Sequence, residues 1–388
     1  MYKVVLVGAG SICRTHVDAF EGQNGRAKVV GIVSLDLSLA DKVIEEKGLD
    51  ARSYEDYKEA IEKENPDIVS VITPPGAHKE VVLYALNAGK HVVVEKPMAP
   101  SLKDCDEMIE CAKKNGKVLS AVAQSRFINA NYKTKKLLDS GICGKLLFTQ
   151  VNSFWYRGNS YYSLAWRGTW ASEGGGCTLI HAIHHVDLLH WFTGMPKTVT
   201  AVIGNLAHDN SEEEDISMAI FGYEDGSMSQ MTSTLVCHGQ KQELLMVGEK
   251  ASIAVPTEFQ ADVPLENGFP EQNTELLQQL QEAYDAIPDL EYQEHAGVVN
   301  DMLNAIDEGR TDVLLDGVQG RRTLELVMAI YKSAATGQTV TLPLAPDDPF
   351  YTKEGLVASM PHFHEKTVSV DKFEKDDIVL ASSNMVKK

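Results

Sequence analysis

The sequence predicts an α/β fold in two parts, on three observations. A short β-branched strand, Lys3–Val7, opens the chain and runs into Gly8-Ala9-Gly10 and a stretch of helical spacing. Four more apolar strands follow, each separated from the next by helical periodicity, which is the grammar of a parallel, doubly wound sheet. From about residue 127 the pattern changes to consecutive alternating strands with few helices between them, which predicts a largely antiparallel open sheet. The boundaries read as 1–126 for the first domain, 127–345 for an α+β second domain, and 346–388 for a polar C-terminal tail without an assigned role.

Composition narrows the function classes. The 388 residues suffice for two domains, and 44% apolar with 23% charged residues is ordinary globular usage. A net charge of −19 argues against nucleic acid or anionic membrane as partners. No apolar run approaches the roughly 20 residues of a membrane span. Met1–Val7 lacks the features of a signal peptide, so a cytoplasmic protein is expected. Six cysteines without a CxxC pair point to a reducing compartment and to no cysteine metal site.

The elements follow in order. In the turn after the first strand, Gly8 permits a tight bend and Gly10 a close backbone approach, while Ser11 and Ile12 lead into a helix whose N–H groups suit a pyrophosphate. This is the context of a dinucleotide-binding Rossmann domain, with Cys13 in place of its third small residue. The second strand, Val29–Val33, ends at Ser34-Leu35-Asp36. An acid there reads the adenosine ribose hydroxyls; Asp36, with no Arg or Lys from Ser34 to Ala40, favours NAD, although Ser34 would admit NADP. The third strand, Ile68–Ile72, closes in a rigid loop, Thr73-Pro74-Pro75-Gly76-Ala77-His78, with a helix expected from Lys79 to Ala88. The run His91-Val92-Val93-Val94 then stops at Glu95-Lys96-Pro97, which holds Lys96 on stiff backbone at the carboxyl end of a strand. A further strand ends at Gln124.

The second informative segment runs from Tyr156 and Tyr162 through Trp166-Arg167 to Glu173-Gly174-Gly175-Gly176 and a predicted long helix stopped at Gly194. Three successive glycines predict a backbone free to meet a ligand. On that helix His181, His184, His185 and Leu188 share a face, with Asp187 one turn beyond. A metal reading lacks a third ligand at recognisable spacing. His185 and His190 suit hydrogen-bonded packing, and His184 suits acid–base chemistry because imidazole titrates near neutrality. Tyr156, Tyr162, Trp166 and Arg167 form a candidate substrate wall. The run Ser211-Glu212-Glu213-Glu214-Asp215 reads as a solvated loop.

Together Gly8-Ala9-Gly10, Glu95-Lys96-Pro97 and the block from Gly174 through His184 and Asp187 resemble the glucose–fructose oxidoreductase, inositol dehydrogenase and MocA family. The resemblance covers residues 1 to about 350. It implies NAD(P)-dependent transfer of a hydride between nicotinamide and a secondary hydroxyl of a sugar or cyclitol, with homodimers or homotetramers through the open sheet. It also implies that Lys96 and His184 flank the reacting carbon and that Thr73, Pro74, His78, Glu95 and Gln124 lie near the cofactor; His181 and Asp187 are further candidate substrate contacts. One position departs: the aspartate or asparagine usual four residues before the histidine is Ile180 here. That leaves two assignments open, His184 or a neutral Lys96 as base, and two alternative functions, a redox-neutral NAD-dependent glycosidase or lyase and a non-catalytic sugar sensor.

Overall fold

The structure, a computed structural model, describes residues 1–370. It divides into two compact units that are not contiguous in sequence: Met1–Ile128 with Leu290–Leu324, and Asn129–Asp289 with the described residues from Glu325 onward.

The first unit holds six parallel strands: β1 (Tyr2–Val7), β2 (Ala27–Val33), β3 (Arg52–Tyr54), β4 (Ile68–Val71), β5 (His91–Val94) and β6 (Leu119–Ala121). Their order is β3-β2-β1-β4-β5-β6. The order reverses between β1 and β4, and at such a switch point the strand ends diverge into a ligand crevice. Helices α1 (Cys13–Glu21), α2 (Leu37–Lys47), α3 (Tyr57–Glu64), α4 (Pro75–Asn87) and α5 (Leu102–Asn115) connect the strands. Helix α4 starts at Pro75, four residues before the expected Lys79, because proline at the first helical position loses no hydrogen bond and already has helical φ. The core joins Val4, Leu6, Ile32 and Ile68 to Val299, Met302 and Leu303 of the returning helix Glu294–Asp307. Each such buried side chain contributes about 2 kcal/mol, so this late segment is part of the first unit's stability.

The second unit carries α6 (Asn129–Ser140), β7 (Leu146–Phe154), α7 (Cys177–Ile180), α8 (Ile183–Thr193), β8 (Thr198–Gly204), β9 (Ile216–Gly222), β10 (Met228–Thr234), β11 (Gln242–Gly248), β12 (Ser252–Val255), β13 (Glu258–Gln260), a small hairpin of β14 (Asp262–Pro264) and β15 (Pro270–Gln272), α9 (Thr274–Ala286) and β16 (Val340–Thr341). Its main sheet runs β13-β12-β11-β7-β10-β9-β8-β16. The sheet is mixed, since β7 and β10 pair in parallel while the other neighbours are antiparallel. In β8 and β9, Val199, Ala201, Ala219 and Phe221 point inward, and Val202, Met218 and Ile220 point to solvent.

Three expectations are corrected. The predicted long helix is broken: α7 ends at His181, Ala182 caps α8, and His181 therefore does not share a helical face with His184. The acidic run is no solvated loop, because Ser211, Glu213, Glu214 and Asp215 are each 0% exposed. Their burial follows from hydrogen bonds to distant parts of the unit. Glu214 accepts from the backbone N–H groups of Gly176 and Thr178, both at 3.0 Å, and from the Tyr331 hydroxyl at 2.9 Å. Asp215 accepts from the N–H groups of Leu206 and Ala207 and lies 2.9 Å from His208 Nδ1. Two of the three glycines serve this packing: a Cβ on Gly176 would lie 2.0 Å from the Glu214 carbonyl oxygen, and one on Gly175 2.2 Å from the Tyr331 hydroxyl. The described part of the tail is fastened to the unit. Asn210 donates to the Val368 carbonyl and accepts from Thr367 N–H, and Trp170 Nε1 donates to the Pro361 carbonyl. The rest of the expected tail, 371–388, lies outside the described residues.

Candidate active site

The first unit supplies a dinucleotide cradle at the carboxyl ends of β1, β2 and β4. Gly8 sits at φ +120°, and a Cβ there would lie 2.7 Å from the Ile72 carbonyl oxygen, so only glycine passes under the β4 loop. Gly10 and Ser11 are exposed, and no side chain caps the N-terminus of α1 at Ile12. Cys13 and Thr15 N–H are taken by the Gly10 and Ile12 carbonyls, both at 3.0 Å, so the exposed Gly10-Ser11 turn is the part of this N-terminus that a pyrophosphate would meet. Asp36 is exposed at the end of β2 and its carboxylate caps α2, accepting from Ser38 N–H at 3.0 Å, while Ser34 Oγ accepts from Asp36 N–H at 3.3 Å. Thr73 Oγ1 and Gln124 Oε1 are buried and lack a hydrogen-bond partner among the described residues. Orphaned polar atoms of this kind at the crevice fit a ligand that completes them, and these residues are the ones expected to hold the dinucleotide.

Two of the residues expected near the cofactor, His78 and Glu95, are also held by buried hydrogen bonds. His78 is fully buried: its Nε2 lies 2.7 Å from the Thr73 carbonyl, and its Nδ1 lies 3.1 and 3.2 Å from the carbonyls of Pro97 and Met98. It therefore ties the Thr73 loop to the Lys96 loop, and its burial lowers its basicity. Glu95 likewise faces inward. Its Oε1 accepts from His16 Nε2 at 3.0 Å and lies 3.2 Å from His295 Nε2, while its Oε2 accepts from the Lys96 backbone N–H at 3.1 Å. His16 Nδ1 in turn meets Ser70 Oγ at 2.9 Å.

Burial keeps His16 neutral against the pull of Glu95, which fixes its tautomer: Nε2–H donates to Glu95, and Nδ1 accepts from Ser70. Burial opposes the Glu95 charge, but hydrogen bonds from His16 and His295 hold its carboxyl well below the usual range. The anion thus braces the peptide that carries Lys96. His16, Glu95 and His295 also bring their ligand atoms within 4.8 Å of one another, a grouping that no sequence spacing announces. The 3.0 and 3.2 Å separations are those of hydrogen bonds.

In the second unit, His184 is half-buried on the first turn of α8. His185, beside it, is buried with Nδ1 2.9 Å from Ser153 Oγ, and burial lowers its pKa to about 4. Asp187 is also buried, its carboxylate 3.4 Å from His190 Nε2. His181 stands between aromatic rings, 5.5 Å from Tyr161 and 6.1 Å from Trp155 by centroids.

The expected wall is only partly where the pattern put it. Tyr156 and Trp166 are exposed, and Arg167 lies between Trp166 and Tyr161, 3.8 and 4.0 Å from their ring centroids. Arg167 Nη1 donates to Glu173 Oε1 at 2.8 Å. Tyr162 is 1% exposed and packs edge-on against Tyr161 and His208, so it belongs to the core. Below this layer Glu173 and Glu213 are buried together. Burial raises the carboxyl pKa of each, and for Glu213 the neighbouring carboxylates Glu173 and Glu214 raise it further.

A switch-point sheet with a glycine turn after its first strand, joined in one chain to a mixed-sheet unit, is the architecture of a dinucleotide-binding protein. The chain belongs to the Gfo/Idh/MocA oxidoreductase family: residues 2–122 match its NAD-binding Rossmann-fold domain and residues 132–254 its C-terminal domain. The matched first domain is by its description an NAD-binding one. Among relatives, an oxidoreductase of Streptococcus pneumoniae is 34% identical over 47% of this chain and 48% of its own. The 2,7-anhydro-N-acetylneuraminate hydratase of Mediterraneibacter gnavus is 28% identical over 59% and 60%, so the matches to these two span about half to three-fifths of their lengths. The inositol 2-dehydrogenase/D-chiro-inositol 3-dehydrogenase of Lactiplantibacillus plantarum is 23% identical over 92% and 98%. Among solved structures, the WlbA dehydrogenase of Chromobacterium violaceum with NADH and UDP-GlcNAcA is 29% identical, with a TM-score of 0.76 over 89% of this chain and 96% of that one.

Proposed function

We propose that the protein oxidises a secondary hydroxyl of a sugar, sugar derivative or cyclitol, with Lys96 and His184 acting at the reacting carbon. The observation that carries the reading is Lys96 itself: it stands on a strand end braced by a buried anion, beside the cradle for a dinucleotide. Bound NAD supplies the hydride acceptor. The substrate C–H leaves as hydride, and His184 takes the hydroxyl proton as the carbonyl forms. Cationic Lys96 stabilises the alkoxide that develops in between. Buried His185 stays neutral at working pH and adds no charge next to the base.

Lys96→Ala should lower turnover on the order of 10²-fold. Turnover within a few-fold of the parent would remove Lys96 from the mechanism. The direct test is a spectrophotometric screen of purified protein with NAD and NADP against monosaccharides, cyclitols, anhydrosugars and glycosides. Formation of reduced nicotinamide with one sugar class supports the dehydrogenase.

A redox-neutral hydratase or lyase is the second reading, favoured by the Mediterraneibacter relative's activity and by Ile180 at the usual acid's place. It predicts product without net NADH. Exposed Val202, Met218 and Ile220 on the outer face of the sheet support assembly of identical subunits. Six free cysteines support a cytoplasmic setting, and among the described residues no helix is long and apolar enough to cross a membrane.

A further inference from the structure

Arg157 was not among the residues the sequence singled out, yet it completes a cationic shelf in the second unit. Its guanidinium carbon lies 5.8 Å from the Trp155 ring centroid and 5.7 Å from that of Tyr161. Tyr161 carries Arg167 at 4.0 Å as well, so one ring is flanked by two guanidinium groups, with His181 also against it. Arg167 is committed to Glu173. Arg157 is not paired with any carboxylate among the described residues; its Nη1 donates to the Tyr156 carbonyl at 2.7 Å and to Gln240 Oε1 at 3.2 Å. Burial depresses its basicity, the signature of a cation short of a counter-ion. Arg167 Nε is also buried and without a partner among the described residues. The rim of the shelf is aromatic and open, with Tyr156 and Trp166 exposed. In a chain of net charge −19, a local pair of arginines over stacked rings is a selective feature.

We propose that the substrate carries a carboxylate, received by Arg157 with the help of Arg167, while the sugar's C–H faces stack on the shelf. A guanidinium fork offers parallel donors matched to a planar carboxylate, and the rings supply apolar surface. The nearby buried acids Glu173 and Glu213 favour a monoanion over a doubly charged phosphate. The inference names the substrate class for the oxidoreductase reading and rests on it.

The test is calorimetric titration of the full chain saturated with NADH, using matched sets: glucuronate, galacturonate and N-acetylneuraminate, the neutral hexoses, and the hexose 6-phosphates. At least one carboxylate sugar should bind tenfold or more tighter than its neutral counterpart. Arg157→Ala should abolish that difference while changing neutral-sugar binding less than twofold, and Arg157→Lys should restore part of it. Three results overturn the proposal: no carboxylate preference across the set, tighter binding of the phosphates, or equal loss of charged and neutral sugars in Arg157→Ala. Arg157→Lys carries the same comparison if the alanine variant does not fold. NADH formation, followed separately with NAD, keeps the two readings distinct. Carboxylate discrimination without NADH leaves the docking site standing and refutes the dehydrogenase, whereas NADH from neutral sugars alone does the reverse.

Discussion

His185 offers a perturbation whose size follows from one buried ring. Its folded-state pKa is about 4 against an ordinary 6.5, and burial is the cause. The folded state therefore binds fewer protons than the unfolded chain between those values. Stability contributed by keeping this ring neutral is fully present above pH 6.5 and is lost as pH falls toward 4, at about 1.4 kcal/mol per pH unit. Between pH 7 and pH 5 the residue alone should cost the second unit about 2 kcal/mol. His185→Gln keeps a polar group opposite Ser153 Oγ and removes the titration. Urea denaturation followed by tryptophan fluorescence reads the relevant unit, because Trp155, Trp166, Trp170 and Trp191 all belong to it. The parent should lose about 2 kcal/mol more than His185→Gln on moving from pH 7 to pH 5. Parallel pH dependence of the two, within about 0.5 kcal/mol, would refute the argument that burial alone sets the ring's charge.

Other expectations concern the cradle and its supports. Gly8→Ala places a Cβ 2.7 Å from a backbone oxygen at positive φ, and should weaken NADH binding at least tenfold by fluorescence titration; unchanged affinity would remove Gly8 from the cofactor turn. Glu95→Gln replaces a charged acceptor of His16 and His295 and should cost about 2 kcal/mol in thermal unfolding, with a lower turnover number at unchanged NAD affinity. Gly176→Ala drives a Cβ to 2.0 Å from the Glu214 carbonyl oxygen and should destabilise the second unit by about 3 kcal/mol, seen as an earlier tryptophan-monitored transition; a melt within a degree of the parent would show that the turn relaxes freely.

The features legible in the sequence were those whose causes are local. Strand β5, stopping just before Glu95-Lys96-Pro97, and the glycine turn after β1 each depend on residues a few positions apart. The buried pairing of Glu95 and the burial of the acidic run were not legible because their partners are remote. His295 lies 200 positions beyond Glu95, and Tyr331 lies 117 beyond Glu214. A glutamate in a polar run looks solvated until backbone N–H groups and a hydroxyl are folded onto it. The break at His181 was hidden for another reason: the apolar spacing continues through Ala182 and Ile183 and carries no glycine or proline signal.

The first unit's split across the chain has a consequence for biosynthesis. When Ile128 leaves the ribosome, the whole parallel sheet has been made, yet the helix that supplies Val299, Met302, Leu303 and His295 has not. At about 5–20 residues per second, the nascent sheet waits on the order of ten seconds or more with one apolar flank bare and the Glu95 carboxylate missing a partner. During that interval the growing polypeptide is a natural client for chaperones that hold exposed apolar surface, and the brace behind Lys96 closes only after His295 has been made.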